Sequence, residues 1–278
     1  MRLDLQGLTL TYGDVTALRE VSTTVEGRVI GILGANASGK TSLLKILAGI
    51  IAPTGGRARI DGEDVSQGRT PWISYLPQET GFFPFAQRAT ETLTLSLLFR
   101  GIVDPDAPRQ LLAALGLDDE NRSPAGYSGG MKQKLRIAQA LVHAARLLLL
   151  DEPTTGLDTR ERFRVLRLLE RLHDRVAIIF STHQPEDAAA VCDTLVILHR
   201  GRLATSGTPA EITAAARGRV FEVRLHTPGL PDDPECELVH AERDGDTFLA
   251  RVVGKPPAGA VPVAPRLEDA YLLLTRGV

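Results

Sequence analysis

The chain has 278 residues, 43 % hydrophobic and 24 % charged, with a formal net charge of -2; that is a globular composition and excludes wholesale disorder. No block of like charge stands out, so there is no electrostatic footprint for nucleic acid, and no nucleic-acid partner is expected. Cys192 and Cys236 lie far apart in the chain, which argues against a disulfide framework or a zinc site and fits a reducing compartment.

The length suits one large domain, or one domain with a small companion. The opening "MRLDLQGLTLTYG" alternates apolar and polar residues and reads as a first strand, not a leader. The longest apolar runs, "LLLL" at 147–150 and "VAIIF" at 176–180, are far short of a membrane span. The chain is therefore expected to be soluble by itself. "GRVIGILG" supplies Val29, Ile30, Ile32 and Leu33 for a short buried strand, and "TSLLKILAGII" carries Leu43, Leu44, Ile46, Leu47 and Ile50 at helical spacing. Between them "GANASGKTSL" fits G-x-x-x-x-G-K-S/T through Gly34, Gly39, Lys40 and Thr41. Small residues let successive N–H groups converge on phosphate oxygens, and the following helix adds its partial positive charge. Lys40 is expected at the β- and γ-phosphates and the Thr41 hydroxyl on Mg²⁺. Asn36, Ser38 and Ser42 complete the loop. A plain Gly-rich turn is the alternative, and the strand before and helix after argue against it.

Further along, "QETGFFPFAQ" clusters Phe82, Phe83 and Phe85, which suits either a docking surface or packing beneath a helical region. "YSGGMKQKLRIAQAL" predicts a helix opened by Ser128, Gly129 and Gly130, with Met131, Leu135, Ala138 and Leu141 or Val142 on one face. Its N-terminus is a second anion site, or simply a Ser-capped helix start. "LLLLDEPTTGLD" places Asp151 and Glu152 just past a buried strand. Asp151 would hold Mg²⁺ through a water and Glu152 would act as general base on the attacking water. In open α/β sheets both motifs fall at the carboxyl ends of strands, on one edge, where they can share a ligand. After "VAIIF" comes His183, and then Pro185, Glu186 and Asp187, which read as an ordinary helix start.

With these pieces in order, the chain resembles the ATP-binding subunit of an ABC transporter over roughly residues 3 to 212. Tyr12, in "LTYGDVTAL", falls where that family stacks an aromatic on adenine. Residues 34–41 match Walker A, Gln78 the Q-loop, residues 127–131 the signature, residues 147–152 Walker B, Asp158 the D-loop and His183 the switch histidine. Alone, Tyr12 reads as a packing aromatic, Gln78 as a loop amide and His183 as a turn residue; their shared order carries the resemblance. It implies an α/β P-loop NTPase of ABC type, with a RecA-like α/β core, an antiparallel β subdomain and a helical subdomain at roughly 79–145. It implies ATP and Mg²⁺ as ligands, with Thr41, Gln78 and Asp151 around the metal and Glu152, His183 and Gln78 in catalysis. It also implies a second ATP-binding subunit, whose nucleotide would meet Ser128, Gly129, Gly130 and Met131. An integral membrane permease would hold the chain peripherally at the cytoplasmic face of the cell membrane.

Two departures matter. The loop has Ala37 where the family usually has Gly, and Ala is costly there only if the backbone needs positive φ. The signature reads Tyr127 and Met131 in place of Leu and Gln, a variant similar to that of many exporter cassettes. Residues 213–278 form the expected second unit, a small α+β appendage. "RVFEVRLHTP" alternates, "CELVHAERDGDTFLARVV" reads as strand, Asp-Gly turn, strand, and "PRLEDAYLLLTRG" as a short helix. "LEDAYLLL" resembles the ending of ABC-2 exporter subunits, which favours export. No N-K-x-D motif suggests a GTPase and no internal repeat suggests a two-cassette protein. The remaining rival is an ATP-sensing regulatory subunit without vectorial transport.

Overall fold

The structure, a computed structural model, describes residues 1–78, 88–117, 123–143, 145–227 and 235–276. The aromatic cluster Phe82, Phe83 and Phe85 lies outside the described residues.

Two long strands open the chain, β1 (Arg2–Tyr12) and β2 (Val15–Glu26), followed by the wholly buried β3 (Val29–Leu33) and by α1 (Lys40–Leu47). Then come β4 (Gly55–Ile60), β5 (Glu63–Asp64) and β6 (Ile73–Leu76). Helices α2 (Ala89–Leu98), α3 (Ala107–Ala114) and α4 (Gly129–Leu141) precede β7 (Leu147–Leu150). The chain continues through α5 (Thr159–Leu172), β8 (Ala177–Thr182), α6 (Pro185–Val191), β9 (Thr194–His199) and β10 (Arg202–Gly207). It closes with α7 (Pro209–Ala214), β11 (Val220–Leu225), β12 (Cys236–Asp244), β13 (Thr247–Gly254), β14 (Val261–Pro262) and α8 (Leu267–Thr275).

These strands make three sheets. The first, in order β2-β1-β4-β5, is antiparallel, and the second runs β10-β9-β3-β8-β7-β6. In the second, β9, β3, β8, β7 and β6 are parallel and β10 is an antiparallel edge. The continuous apolar runs in β3, β7, β8 and β9 explain this placement, because a parallel sheet covered on both faces buries every side chain. Alternation then sorts the residues. Ile30, Ile32, Leu147 and Leu149 face a core shared with the first sheet and with Leu43 and Leu47 of α1. Val29, Leu148, Leu150 and Phe180 face a core with Leu93, Leu135 and Val165 of α2, α4 and α5. The face predicted for α4 is realised: Leu135 and Ala138 are buried, and Met131 packs partly against that core.

The third sheet, β12-β13-β11-β14, is antiparallel. Its hairpin turn sits one residue later than the sequence suggests. Asp244 pairs with Thr247, so the loop is Gly245-Asp246, with the positive φ of 64° on Gly245. A third apolar cluster joins Leu33 at the end of β3 to Ala188 of α6, Ile212 of α7, Val253 of β13 and Leu267 and Ala270 of α8.

Candidate nucleotide site

Four parallel strands deliver the candidate residues to one edge. β3 ends at the Gly-rich loop, β8 at His183, β7 at Asp151 and Glu152, and β6 shortly before Gln78. At that edge a cavity of about 510 Å³ is lined by residues 36–42 together with Gln78, Glu152, Thr155 and His183. Val15, Thr16 and Ala17 of β2 form its outer wall. Tyr12 is not among the lining residues; it ends β1 and is 44 % exposed.

The loop's composition follows from its crowding. A Cβ on Gly34 would lie 2.5 Å from the Leu198 carbonyl, and Gly39, at φ 103°, would put one 2.6 Å from the Ala17 carbonyl. Ala37 has φ 63° and an exposed side chain. It therefore occupies the left-handed region that costs a non-glycine residue about 1–2 kcal/mol. The Lys40 ammonium is 4 % exposed and donates to the carbonyls of Gly34 at 2.8 Å and Ala35 at 3.0 Å. It also lies 3.2 Å from Glu152 Oε1. The Ser38 hydroxyl is buried without a hydrogen-bond partner among the described residues, which suits a polar ligand in the cavity.

At the end of β7 one hydroxyl organises both carboxylates. Ser181 Oγ donates to Asp151 Oδ1 at 2.7 Å and accepts the Glu152 N–H at 2.9 Å. Tyr75 donates to the other Asp151 oxygen at 3.2 Å, and its own pKa is raised, chiefly by burial and then by the Asp151 charge. Glu152 has φ 47°, an uncommon backbone for a residue with a side chain. Its Oε2 accepts from Thr155 at 2.9 Å and lies 3.4 Å from the Gln78 amide. His183 Nδ1 is 3.3 Å away but makes no hydrogen bond. Burial pushes the Glu152 carboxyl up; the Thr155 hydroxyl, the Lys40 ammonium and His183 outweigh it, and its pKa is lowered. Glu152 is thus ionised at neutral pH.

The residues of the signature and D-loop stand apart from this cavity. Ser128 caps α4 by accepting the Met131 N–H at 3.2 Å, and Asp158 caps α5 by accepting the Glu161 N–H at 2.9 Å. Sequence reasoning misjudged the turn after His183. Asp187 is completely buried and is no ordinary first-turn acid. It accepts from Thr154 at 2.6 Å and pairs with Arg162 at 2.5 Å, so it ties α6 to the segment after β7 and to α5. Ser181, Tyr75 and Thr155 were also missed. For Ser181 a signal existed, the first of two adjacent hydroxyl residues closing the apolar run "AIIF" before His183.

Thr41, Gln78 and Glu152 line the cavity with oxygens, and Asp151, one residue before Glu152, is buried outside the lining; such oxygen donors suit a hard cation such as Mg²⁺. Among the described residues, no group of three or more His, Cys, Asp or Glu could hold a metal by itself.

Comparisons with known proteins agree with one another. The profile of a family described as ABC transporter matches residues 18–155. The ABC transporter ATP-binding protein YxlF of Bacillus subtilis (strain 168), itself described as uncharacterized, is 32 % identical over 278 residues, covering 98 % of this chain and 90 % of that protein. The sulfate/thiosulfate import ATP-binding protein CysA of Bordetella parapertussis is 33 % identical over 307 residues, covering 98 % of this chain and 85 % of its own. Among solved structures, the dimeric post-hydrolysis state of the ATP-binding cassette MJ0796 bound to ADP and Pi superposes with a TM-score of 0.64 at 25 % identity, covering 74 % of this chain and 98 % of that one. An ATP binding subunit of an ABC transporter gives 0.65 at 27 % identity, covering 77 % and 93 %.

Proposed function

Because the chain belongs to the ATP-binding proteins of ABC transporters, with their P-loop fold and ATPase activity, we propose that it powers transport through a separate membrane permease. The observation that carries this reading is the convergence of Lys40, Glu152 and His183 on the cavity floored by the Gly-rich loop.

ATP is the substrate. The amides of residues 36–42 and the Lys40 ammonium receive its phosphates. Glu152 is the general base: it is ionised, nearly buried at 9 % exposed, and aimed by Thr155 and Gln78. His183, 3.3 Å from Glu152 and lining the same cavity, is assigned to the γ-phosphate. Thr41, Gln78 and, through a water, Asp151 would hold Mg²⁺, which would supply positive charge against the phosphates. Asp151 is oriented for this by Ser181 and Tyr75. Tyr12, which lies outside the cavity's lining, is assigned to adenine by its place in the sequence. Ser128, Gly129, Gly130 and Met131 serve the ATP of a second subunit, which their position outside this cavity supports. The D-loop Asp158 lies at the start of α5.

Residues 1–212 constitute the ATP-binding domain in this reading and residues 213–278 an accessory one. No helix among the described residues is long and apolar enough to cross a membrane, and in this reading the chain reaches the cytoplasmic face of the membrane through its permease partner. The direction we propose is export, on the closing "LEDAYLLL"; the CysA relative is named for import, and transport in vesicles decides between them.

The test is steady-state ATP hydrolysis by wild type and Glu152→Gln, with light scattering for oligomeric state. Loss of the base lowers turnover about 10²–10⁴-fold and traps an ATP-bound dimer. Wild-type binding without hydrolysis, persisting with the permease co-expressed, would instead indicate an ATP-sensing regulatory subunit.

A further inference from the structure

Strands β9 and β10 are joined by a two-residue turn, Arg200-Gly201, since His199 pairs with Arg202. Both turn residues have positive φ, 48° and 80°, as the tightest hairpin turns require. The backbone of Gly201 is engaged on both sides. Its N–H donates to the Ser38 carbonyl at 3.2 Å, and its carbonyl accepts from the Arg19 N–H at 2.7 Å. Gly201 thus ties the phosphate loop to β2. The fit leaves no room for a side chain. A Cβ on Gly201 would lie 2.8 Å from the Ala17 carbonyl oxygen, the same oxygen that a Cβ on Gly39 would meet at 2.6 Å. Further along, the Thr23 and Ser206 hydroxyls, 2.7 Å apart, join β2 to β10.

The Ser38 carbonyl belongs to the same peptide as the Gly39 N–H, and in the trans peptide the two point in opposite directions. Ser38 and Gly39 line the cavity, whereas Gly201 lies outside its lining. Holding the carbonyl from behind therefore turns the N–H towards the cavity.

We infer that Gly201 is a positioning residue for the phosphate loop, fixing the Ser38–Gly39 peptide so that its N–H is already aimed at phosphate when ATP arrives. A donor oriented beforehand loses less freedom on binding. The inference rests on the nucleotide site proposed above and gives the β9–β10 turn a role in it.

In nucleotide-free wild type the Gly201 amide should already be protected from exchange with solvent; rapid exchange there, slowed only by ATP, would overturn the inference without any variant. Gly201→Asn and Gly201→Ala separate crowding from strain. Asn adopts the left-handed backbone more readily than Ala, while both bring the Cβ that the Ala17 carbonyl leaves no room for. In full-length protein, either variant is expected to bind a fluorescent ATP analogue about three- to tenfold more weakly, the span of one misplaced hydrogen bond. KM for ATP rises with kcat unchanged, and the Arg19 amide, whose acceptor has moved, exchanges faster. Gly245→Asn is the control. It lies in the β12–β13 turn at φ 64°, where a Cβ meets nothing within 4 Å, and it should leave affinity and KM at wild-type values. Wild-type affinity and KM in Gly201→Asn, with or without a lowered melting temperature, would mean a purely structural glycine and overturn the inference. So would an equal loss of affinity in Gly245→Asn. Lys40→Ala separates the two proposals. If it retains wild-type binding, the site itself is misplaced; if it loses binding while Gly201→Asn keeps it, only the role of Gly201 falls.

Discussion

Ala37→Gly is expected to stabilise the protein, which is unusual for a substitution that removes a methyl group. Ala37 sits at φ 63°, where a Cβ crowds the following carbonyl at a cost of about 1–2 kcal/mol. Glycine removes that strain but adds freedom to the unfolded chain, a loss of about 0.4–1 kcal/mol. The methyl is exposed, so no buried apolar surface is given up. The balance is a gain of about 0.5–1 kcal/mol. For a chain of this size that is a rise in melting temperature of about 1–4 °C. Differential scanning fluorimetry against wild type measures it. Ala37→Val provides the opposite arm, because a β-branched residue fits the left-handed region worse and should melt lower. A fall in melting temperature for Ala37→Gly, or no fall for Ala37→Val, would show that the loop does not hold Ala37 left-handed in solution.

Three further outcomes follow from the geometry. Arg251→Met leaves the buried Asp269 carboxylate without its charge partner and should cost about 3–5 kcal/mol in urea unfolding, whereas Arg251→Met with Asp269→Leu should recover most of it. His143 is shifted from 6.5 to about 4, first by burial and then by the Arg100 charge. The folded state therefore resists its protonation, so stability is full above pH 6.5, falls as pH drops from there towards about 4, and should lose that slope in His143→Phe. Asp187→Ala strips Thr154 and Arg162 of their shared acceptor; it should destabilise by about 3 kcal/mol and slow ATP turnover measured under folding conditions.

The parts legible in the sequence are those where local pattern and tertiary role coincide. "VIGIL" and "LLLL" can only be buried strands at such apolar density, and the glycines at 34 and 39 mark backbone that no side chain could follow. The loop, Asp151 and Glu152 were therefore readable in advance. Whether Ala37 is strained was not, because the letter is silent about φ. Asp187 misled for a related reason. An acid in a helix's first turn is ordinarily solvated, and only Arg162 and Thr154, remote in sequence, reveal that this one is buried. Ser181 is the intermediate case: its position is suggestive, but its two hydrogen bonds, donated to Asp151 and accepted from the Glu152 N–H, are not.

In the reading proposed above, in which Glu152 is the general base, the Lys40–Glu152 pair would link binding to catalysis. Both groups are nearly buried, at 4 % and 9 % exposed, and 3.2 Å apart, where a charge pair is screened far less than at the surface. Phosphate arriving at the loop competes with Glu152 for the same ammonium. Drawing Lys40 towards phosphate removes one of the influences that lower the Glu152 pKa, while Thr155 and His183 remain. The carboxylate then becomes the stronger base at the moment it is needed. The sign of this effect is testable without turnover. Lys40→Met, close in length but uncharged, should raise the Glu152 pKa above its wild-type value, read from the carboxyl carbon in an NMR titration. A wild-type pKa in Lys40→Met would mean that Thr155 and His183 set the ionisation alone, and that the ammonium plays no part in tuning the base.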